Sequence, residues 1–384
     1  MLDLIEWVLD YMYINSSNIS DILVVAKSLS TGHNDLFTLF FADKDIPDIE
    51  ELQKVLSEAG IRFMGGITPA LIVGTTLKYS GTLIRRYQCA SGPFVVPNFT
   101  TNDIPRDIVE NLEMPSPGED GTVMMYFSFP NATSHFLQQI YGLFGNGVTY
   151  IGSGLGYEDL VVRRSVFSNE VFSDNAAIFA VLSLECTVAA RHGFIPISDP
   201  MMLTATDLNR VEEINWKNPR DEYLRIIAEE RQQQYPNNTL EECIMFYPMV
   251  FETDSPESVC RVVTGITPDG SLECGSGVSE NALFRIAKYS YESLVEAAVS
   301  SAVAVTEDLQ ERPTVLFLFN CCLRKLITGE KFSRELEAVN EALSDKSALI
   351  QIEGILSLGE ISSMGTGMVE CLNFTSVAGR FYEN

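Results

Sequence analysis

Few residues in this chain have the types and spacing that catalysis usually needs. The sequence has no HExxH, P-loop or GxSxG pattern, and it contains three histidines, His33, His135 and His192. The run Gly152-Ser-Gly154-Leu-Gly156 resembles the start of a dinucleotide fingerprint, but the third glycine of that fingerprint would fall at Tyr157. A tight turn at a strand end explains these glycines better, and we predict that the protein is not an enzyme and needs no cofactor.

Two adjacent cysteines, Cys321 and Cys322, directly follow an apolar run that predicts a buried strand. Residues at the carboxyl ends of strands line the crevice where open α/β sheets bind ligands. A thiol nucleophile needs a base or an electropositive neighbour to lower its pKa, and only His192 or His135 could act as that base. The alternative is that both cysteines pack as small hydrophobic side chains.

Arg324 follows the same predicted strand, where an arginine is costly unless it meets a carboxylate. We expect Glu360, which stands in an apolar and glycine-rich stretch, to be its partner. The pair is either a buried structural salt bridge or a clamp in a pocket. As a clamp it could hold the carboxylate and ammonium groups of a zwitterion such as an amino acid.

Composition and charge exclude several classes of protein. The chain has 384 residues, 46% of them hydrophobic, which supports a large core and excludes disorder as the main state. A formal net charge of −26 makes nucleic acid and anionic membrane surfaces poor partners. The N-terminus is acidic where a signal peptide is basic, so we expect a cytoplasmic protein. Eight scattered cysteines without a CxxC pair argue against a disulfide framework and a metal site.

A strand–helix–strand pattern that ends in glycine occurs three times. Apolar strands begin at Leu36, Val123 and Val315, and each is followed by an amphipathic helix and a second strand. The distances from strand start to glycine, at Gly65, Gly152 and Gly354, are 29, 29 and 39 residues. This predicts an α/β to α+β fold in two related halves, with mixed sheets, flanking helices and an internally duplicated βαβ-type unit.

Other segments complete the predicted frame. Residues 2–13 have helical apolar spacing and predict an amphipathic helix, with a homodimer contact as one possible use. Residues 176–190 predict one long strand, residues 218–233 a helix, and residues 282–305 a long helix. The polar run at residues 236–239 is the best domain boundary. We therefore predict an N-terminal helix at 1–19 and domains at 20–235 and 236–384.

Three motifs follow one another in the C-terminal third: Phe319-Asn-Cys-Cys-Leu-Arg324, Gly354-Ile-Leu-Ser-Leu-Gly359-Glu360-Ile361 and Leu372-Asn373-Phe-Thr375. In this order they resemble the C-terminal part of the FIST domain. Upstream, Met64-Gly-Gly-Ile-Thr-Pro-Ala70 and the runs at residues 192–204 and 209–216 resemble its N-terminal part. The predicted domain at 20–235 is therefore FIST N-like, and the one at 236–384 is FIST C-like.

The resemblance implies a sensory module for signal transduction that binds a small ligand, such as an amino acid, between its halves. It implies a separate downstream signalling protein as partner. We expect five residues to line the ligand site: Arg324, Glu360, Asn373, Cys321 and Thr375.

Two alternatives stay open. Some members of this family bind haem and sense nitric oxide, and here His192 would be the iron ligand. The other alternative is a thiol-dependent enzyme that uses Cys321 or Cys322.

Overall fold

The computed structural model describes residues 11–32, 34–113, 121–129, 133–234, 239–253, 257–307, 314–344, 350–364 and 368–381. Within them the chain is an α+β protein in which mixed β-sheets are flanked by helices. The predicted fold class is confirmed. His33 and most of the predicted N-terminal helix lie outside the described residues.

The strands, numbered in chain order, fall into two groups separated by a helical segment. The first group is β1 (Tyr11–Ile14), β2 (Asp35–Ala42), β3 (Phe63–Thr68), β4 (Leu71–Val73), β5 (Thr76–Lys78), β6 (Thr82–Pro97), β7 (Thr122–Ser128), β8 (Thr149–Leu155), β9 (Val166–Ser168), β10 (Phe172–Ser173), β11 (Ala176–Leu182), β12 (Cys186–Arg191), β13 (Ile195–Pro196), β14 (Met201–Asp207) and β15 (Arg210–Ile214). The second group is β16 (Met249–Phe251), β17 (Val259–Arg261), β18 (Val263–Ile266), β19 (Leu272–Cys274), β20 (Leu283–Lys288), β21 (Thr314–Cys321), β22 (Ile350–Ser357), β23 (Glu360–Met364), β24 (Met368–Leu372) and β25 (Ser376–Phe381).

The helices connect and cover these strands. They are α1 (Ile19–Leu29), α2 (Ile49–Glu58), α3 (Arg106–Glu110), α4 (Ser134–Phe144), α5 (Pro219–Gln234), α6 (Leu240–Cys243), α7 (Tyr291–Ala304), α8 (Cys322–Thr328) and α9 (Phe332–Ala342). Short 3₁₀ turns follow α6 and α8. The helix predicted at residues 218–233 corresponds to α5.

In the described part of the chain the strands form three sheets. The first has the order β10-β9-β3-β2-β6-β11-β7-β8-β23-β24, with β1 paired to β6. The second has the order β12-β25-β21-β22-β4-β5, and the third, which is antiparallel, has the order β17-β16-β20-β14-β15-β19-β18 with β13 on β20. The hairpin β23–β24 extends the first sheet beside β8, and the hairpin β4–β5 extends the second sheet beside β22. The two halves of the chain therefore share their sheets, and the predicted boundary at residue 235 stays a prediction.

The repeated unit is present three times, as β2–α2–β3, β7–α4–β8 and β21–α8–α9–β22. In each unit the two strands are parallel, and the same register places Leu39 opposite Gly65, Met125 opposite Gly152 and Leu318 opposite Gly354. A Cβ atom on any of these glycines would lie 1.9 to 2.0 Å from the carbonyl oxygen of the residue opposite. Glycine is therefore required by a close backbone approach, and the spacing found in the sequence reflects this contact.

The centre of the molecule is formed by equivalent residues of the three units. Phe40, Tyr126 and Phe319 each follow the residue that faces the glycine. The ring centroids of Phe40 and Tyr126 lie 5.2 Å apart, and those of Tyr126 and Phe319 lie 6.4 Å apart. The helices α2, α4 and α9 each cover a separate outer cluster of buried apolar side chains. This packing holds the carboxyl ends of β7 and β21 close together.

Three sequence-based predictions are wrong in detail. Tyr11–Ile14, at the end of the predicted helix 2–13, is a strand because its backbone pairs with β6. The predicted strand 176–190 is two strands, since the chain leaves the first sheet after Leu182 and joins the second at Cys186. The predicted helix 282–305 begins only at Tyr291, where Ser290 and Ser293 form a capping box, because the preceding residues pair as β20.

Candidate functional site

A cavity of about 390 Å³ opens at the carboxyl ends of β7 and β21. The described residues that line it are Phe127, Phe129, Leu160, Asn209, Met245, Val262, Thr264, Cys274, Gly275, Ser276, Cys321, Cys322, Leu323, Leu358, Gly359, Cys371 and Asn373. They come from both halves of the chain. A mostly apolar hollow of this size with a few polar groups is typical of a small-molecule site.

The repeated unit explains why Phe129 and Cys322 both line the cavity. Phe129 lies four residues after Met125, and Cys322 lies four residues after Leu318. Both therefore leave their strands at equivalent places in the second and third units. The hairpin β18–β19 forms another part of the cavity lining. Val262, just before β18, belongs to a buried apolar cluster.

Arg324 does not reach this cavity, because its guanidinium group is fully buried between α7, α8 and α9. Its Nη2 donates to Oε2 of Glu335 at 2.8 Å, and its Nε donates to Oε1 of the same residue at 3.2 Å. The remaining N–H groups donate to the carbonyl oxygens of His192, Phe374 and Leu294. All five donors of the arginine are occupied. The predicted Arg324–Glu360 pair is wrong, and the carboxylate partner is Glu335.

Glu360 is a fully buried carboxyl group directly behind the cavity wall. It accepts hydrogen bonds from the hydroxyl of Ser357 and from the backbone N–H of Thr375. Burial, and next the adjacent Cys321 thiol, raise the pKa of Glu360 well above its usual range, while these two donors lower it in part. The Glu360 carboxyl group therefore keeps its proton to a higher pH than an exposed glutamate does.

The Cys321 thiol is also neutral at physiological pH. Burial, and next the hydrogen-bonded thiol of Cys322, raise the pKa of Cys321 well above its ordinary value, and the N–H groups of Leu323 and Phe374 offset only part of this. Neither His192 nor His135 is among the described residues that line the cavity. The described geometry therefore places no histidine beside Cys321 and does not support the thiol-enzyme alternative.

Asn373 lines the cavity and ties three segments together. Its Oδ1 accepts from the N–H of Val262 at 3.2 Å, and its Nδ2 donates to Ser276 Oγ at 3.2 Å and to the carbonyl of Leu372 at 2.9 Å. Thr375 lies behind it, with its hydroxyl bonded to the carbonyl of Asn373. Asn373 therefore fixes the hairpin β18–β19 against the end of β24.

His192 does not offer a ring nitrogen to a haem iron. Its Nδ1 accepts from the N–H of Phe194 at 2.9 Å, so its Nε2 carries the proton and donates to Ser258 Oγ at 2.8 Å. Burial, and next the positive charges of Arg324 and Arg191, lower the pKa of His192 to about 4. The residues around His192 do not fit the haem alternative.

Of the five predicted ligand residues, Cys321 and Asn373 line the cavity, and Arg324, Glu360 and Thr375 are not among the described lining residues. The sequence reasoning missed the apolar wall, above all Phe127 and Phe129. The duplicated unit could have revealed this wall. A site residue predicted at the end of a strand in one unit suggests that the residue at the equivalent strand end of another unit also lines the site.

Comparison with protein-family models decides the family. A model described as the FIST N domain matches residues 35–217, and a model described as the FIST C domain matches residues 220–363. The chain belongs to the FIST family. The resemblance drawn from the motifs is thereby confirmed, and FIST domains are described as small-ligand sensory domains of signal transduction. No curated protein matches the chain.

The cavity takes residues from both FIST parts, for example Phe129 from the N part and Leu323 from the C part. None of the described residues that line it is Lys, Arg, Asp or Glu. In the described part of the FIST chain, no group of three or more His, Cys, Asp and Glu side chains is arranged to hold a metal ion. Over the same residues, no helix is long and apolar enough to cross a membrane.

Proposed function

We propose that this FIST protein is a sensory protein that binds an uncharged, partly apolar small molecule between its N and C parts. The observation that carries the proposal is the composition of the cavity. Phe127, Phe129 and Leu323 give it an apolar surface, while Asn209 and Ser276 provide polar groups. Such a combination binds the body of a ligand by burial and fixes its orientation by hydrogen bonds.

The sequence suggested an amino acid or a similar metabolite as the ligand. A zwitterion needs a fixed cation and anion, and the described lining residues supply neither. All five N–H donors of Arg324 are occupied, and Glu360 is not among the described lining residues. An uncharged metabolite is therefore a better fit than a free amino acid.

The loop between β8 and β9 connects the cavity with the protein surface and could transmit a change caused by ligand binding. Leu160 lines the cavity with a left-handed φ of 58°, and the next two residues, Val161 and Val162, are 55% and 52% exposed. Glu158 holds this loop by salt bridges to Lys44 at 2.9 Å and to Lys325 at 3.5 Å. We propose that a ligand against Leu160 shifts this loop and so changes the surface offered to a downstream signalling protein.

A thermal-shift screen with uncharged metabolites tests ligand binding, together with mass spectrometry of any compound that copurifies. Ligand at about one hundred times its Kd should stabilise the fold by about 2.7 kcal/mol. Leu323→Trp should fill the cavity and abolish the shift.

The matched control is Leu326→Trp on the same helix, since Leu326 is 59% exposed and is not among the described lining residues. This variant should bind as the original chain does. Equal loss of the shift in both variants, or an unchanged shift in Leu323→Trp, would exclude this cavity as the binding site. In the original chain, binding should also slow amide hydrogen exchange in residues 158–164.

A further inference from the structure

Cys321 and Cys322 present two thiols to the same cavity. Successive side chains of a strand point to opposite faces, so adjacent cysteines inside a strand would diverge. Here β21 ends at Cys321 and α8 begins at Cys322, so the alternation of the strand is interrupted between them, and both residues line the cavity. Cys321 is buried, Cys322 is half-buried, and neither forms a disulfide.

We infer that Cys321 and Cys322 form a dithiol site that binds organic trivalent arsenicals by bridging both sulfur atoms to one arsenic atom. The inference names a ligand class for the cavity already described, and so it rests on the proposed function. In the reaction, the As=O group of an arsenoxide meets two thiols. Two S–H bonds and the arsenic–oxygen bond break, two As–S bonds form, and the oxygen leaves with both protons as water. No oxidant or reductant is needed.

The backbone favours such a bridge over a direct disulfide. The peptide bond between the two residues is trans, which places their Cα atoms about 3.8 Å apart. Unstrained disulfides need a Cα separation of about 4.4 to 6.8 Å. An inserted arsenic atom lengthens the link between the sulfur atoms and relieves this mismatch.

The rest of the cavity fits the organic group of the ligand. Phe127, Phe129 and Leu323 form an apolar wall next to the two thiols, and the volume of about 390 Å³ holds an aryl or alkyl substituent. Two more cysteines line the cavity, Cys274 and Cys371. They lie on β19 and β24, so neither is adjacent in sequence to another cysteine.

The test uses phenylarsine oxide with the reduced full-length chain. We expect one phenylarsenic group per chain in the intact mass, and loss of two of the eight cysteine thiols in a denaturing thiol assay. A peptide containing both Cys321 and Cys322 should carry the adduct. Excess dithiol should reverse it, whereas a monothiol should not.

Cys322→Ser should weaken binding of phenylarsine oxide by roughly a hundredfold, because the second As–S bond forms at high effective concentration. Cys89→Ser, at a buried cysteine that is not among the described lining residues, should bind as the original chain does. Peptide mapping of the original chain identifies the cysteines that carry the adduct even if a variant misfolds. The inference is overturned if no adduct forms, if it maps to other cysteines, or if Cys322→Ser retains it. A neutral metabolite that still stabilises Cys322→Ser would leave the proposed function intact.

Discussion

Arg324→Met tests the buried network that replaces the predicted clamp. The change leaves the Glu335 carboxylate, which is 1% exposed, without its cationic partner. Among the described residues, the side-chain amide of Asn320 is then the one remaining donor to it, at 2.8 Å. Removing one partner of a buried ion pair costs about 3 to 5 kcal/mol. The carbonyl groups of His192, Leu294 and Phe374 also lose their donors. We expect a total loss of about 5 kcal/mol in the free energy of unfolding.

Double-mutant cycles identify the partner of Arg324. Adding Glu335→Gln to Arg324→Met should recover about 2 kcal/mol of the free energy of unfolding. The unpaired negative charge of Glu335 is then removed, while the three carbonyl groups still lack their donor. Adding Glu360→Gln should show a coupling within about 0.5 kcal/mol of zero. The assay is urea unfolding without ligand, read as the midpoint at a constant m value. A loss below about 1 kcal/mol would refute the buried network, since exposed ion pairs contribute that little. Equal coupling to Glu360 would refute the assignment of Glu335.

Further predictions follow from the glycine contacts and from two shifted pKa values. Gly152→Ala should lower stability by about 3 kcal/mol or more, because its Cβ would lie 1.9 Å from the Met125 carbonyl oxygen. Gly142→Ala should raise stability by about 0.5 to 1 kcal/mol, because the new Cβ in α4 would have no atom within 4 Å. Thermal unfolding measures both glycine variants. The pKa of His192 is lowered from 6.5 to about 4, so the unfolded chain takes up a proton first, and stability falls as pH drops across that window. His192→Gln should make this part of the pH profile flatter, and an unchanged slope would contradict the assignment. The pKa of Glu360 is raised, so the folded state keeps a proton that the unfolded chain releases, and stability is lost as pH rises above about 4.5. The stabilising effect of Glu360→Gln on the urea midpoint should therefore be larger at pH 8 than at pH 5, and equal effects would show that Glu360 is ionised in the fold.

The repeated unit can be recognised without coordinates. The periodicities of strands and helices are local features of the sequence. A glycine that a close backbone contact requires recurs at a similar number of residues after the start of the first strand of each unit. Gly65, Gly152 and Gly354 could therefore be recognised without coordinates. The positions of Cys321 and Asn373 near the cavity were also predictable, because residues that follow strands of the unit lie at one end of the sheets.

The pairing of charged groups and the way the two halves combine depend on contacts between segments that are far apart in the chain. Glu360 and Glu335 both follow Arg324 in the sequence, and nothing in their spacing tells which carboxylate reaches the guanidinium. The hairpins β4–β5 and β23–β24 pair with strands far away in the chain, and strand pairing is not local. The apolar wall of the cavity also depends on contacts between distant segments. Phe129 and Leu323 line one cavity only after the second and third units have packed together.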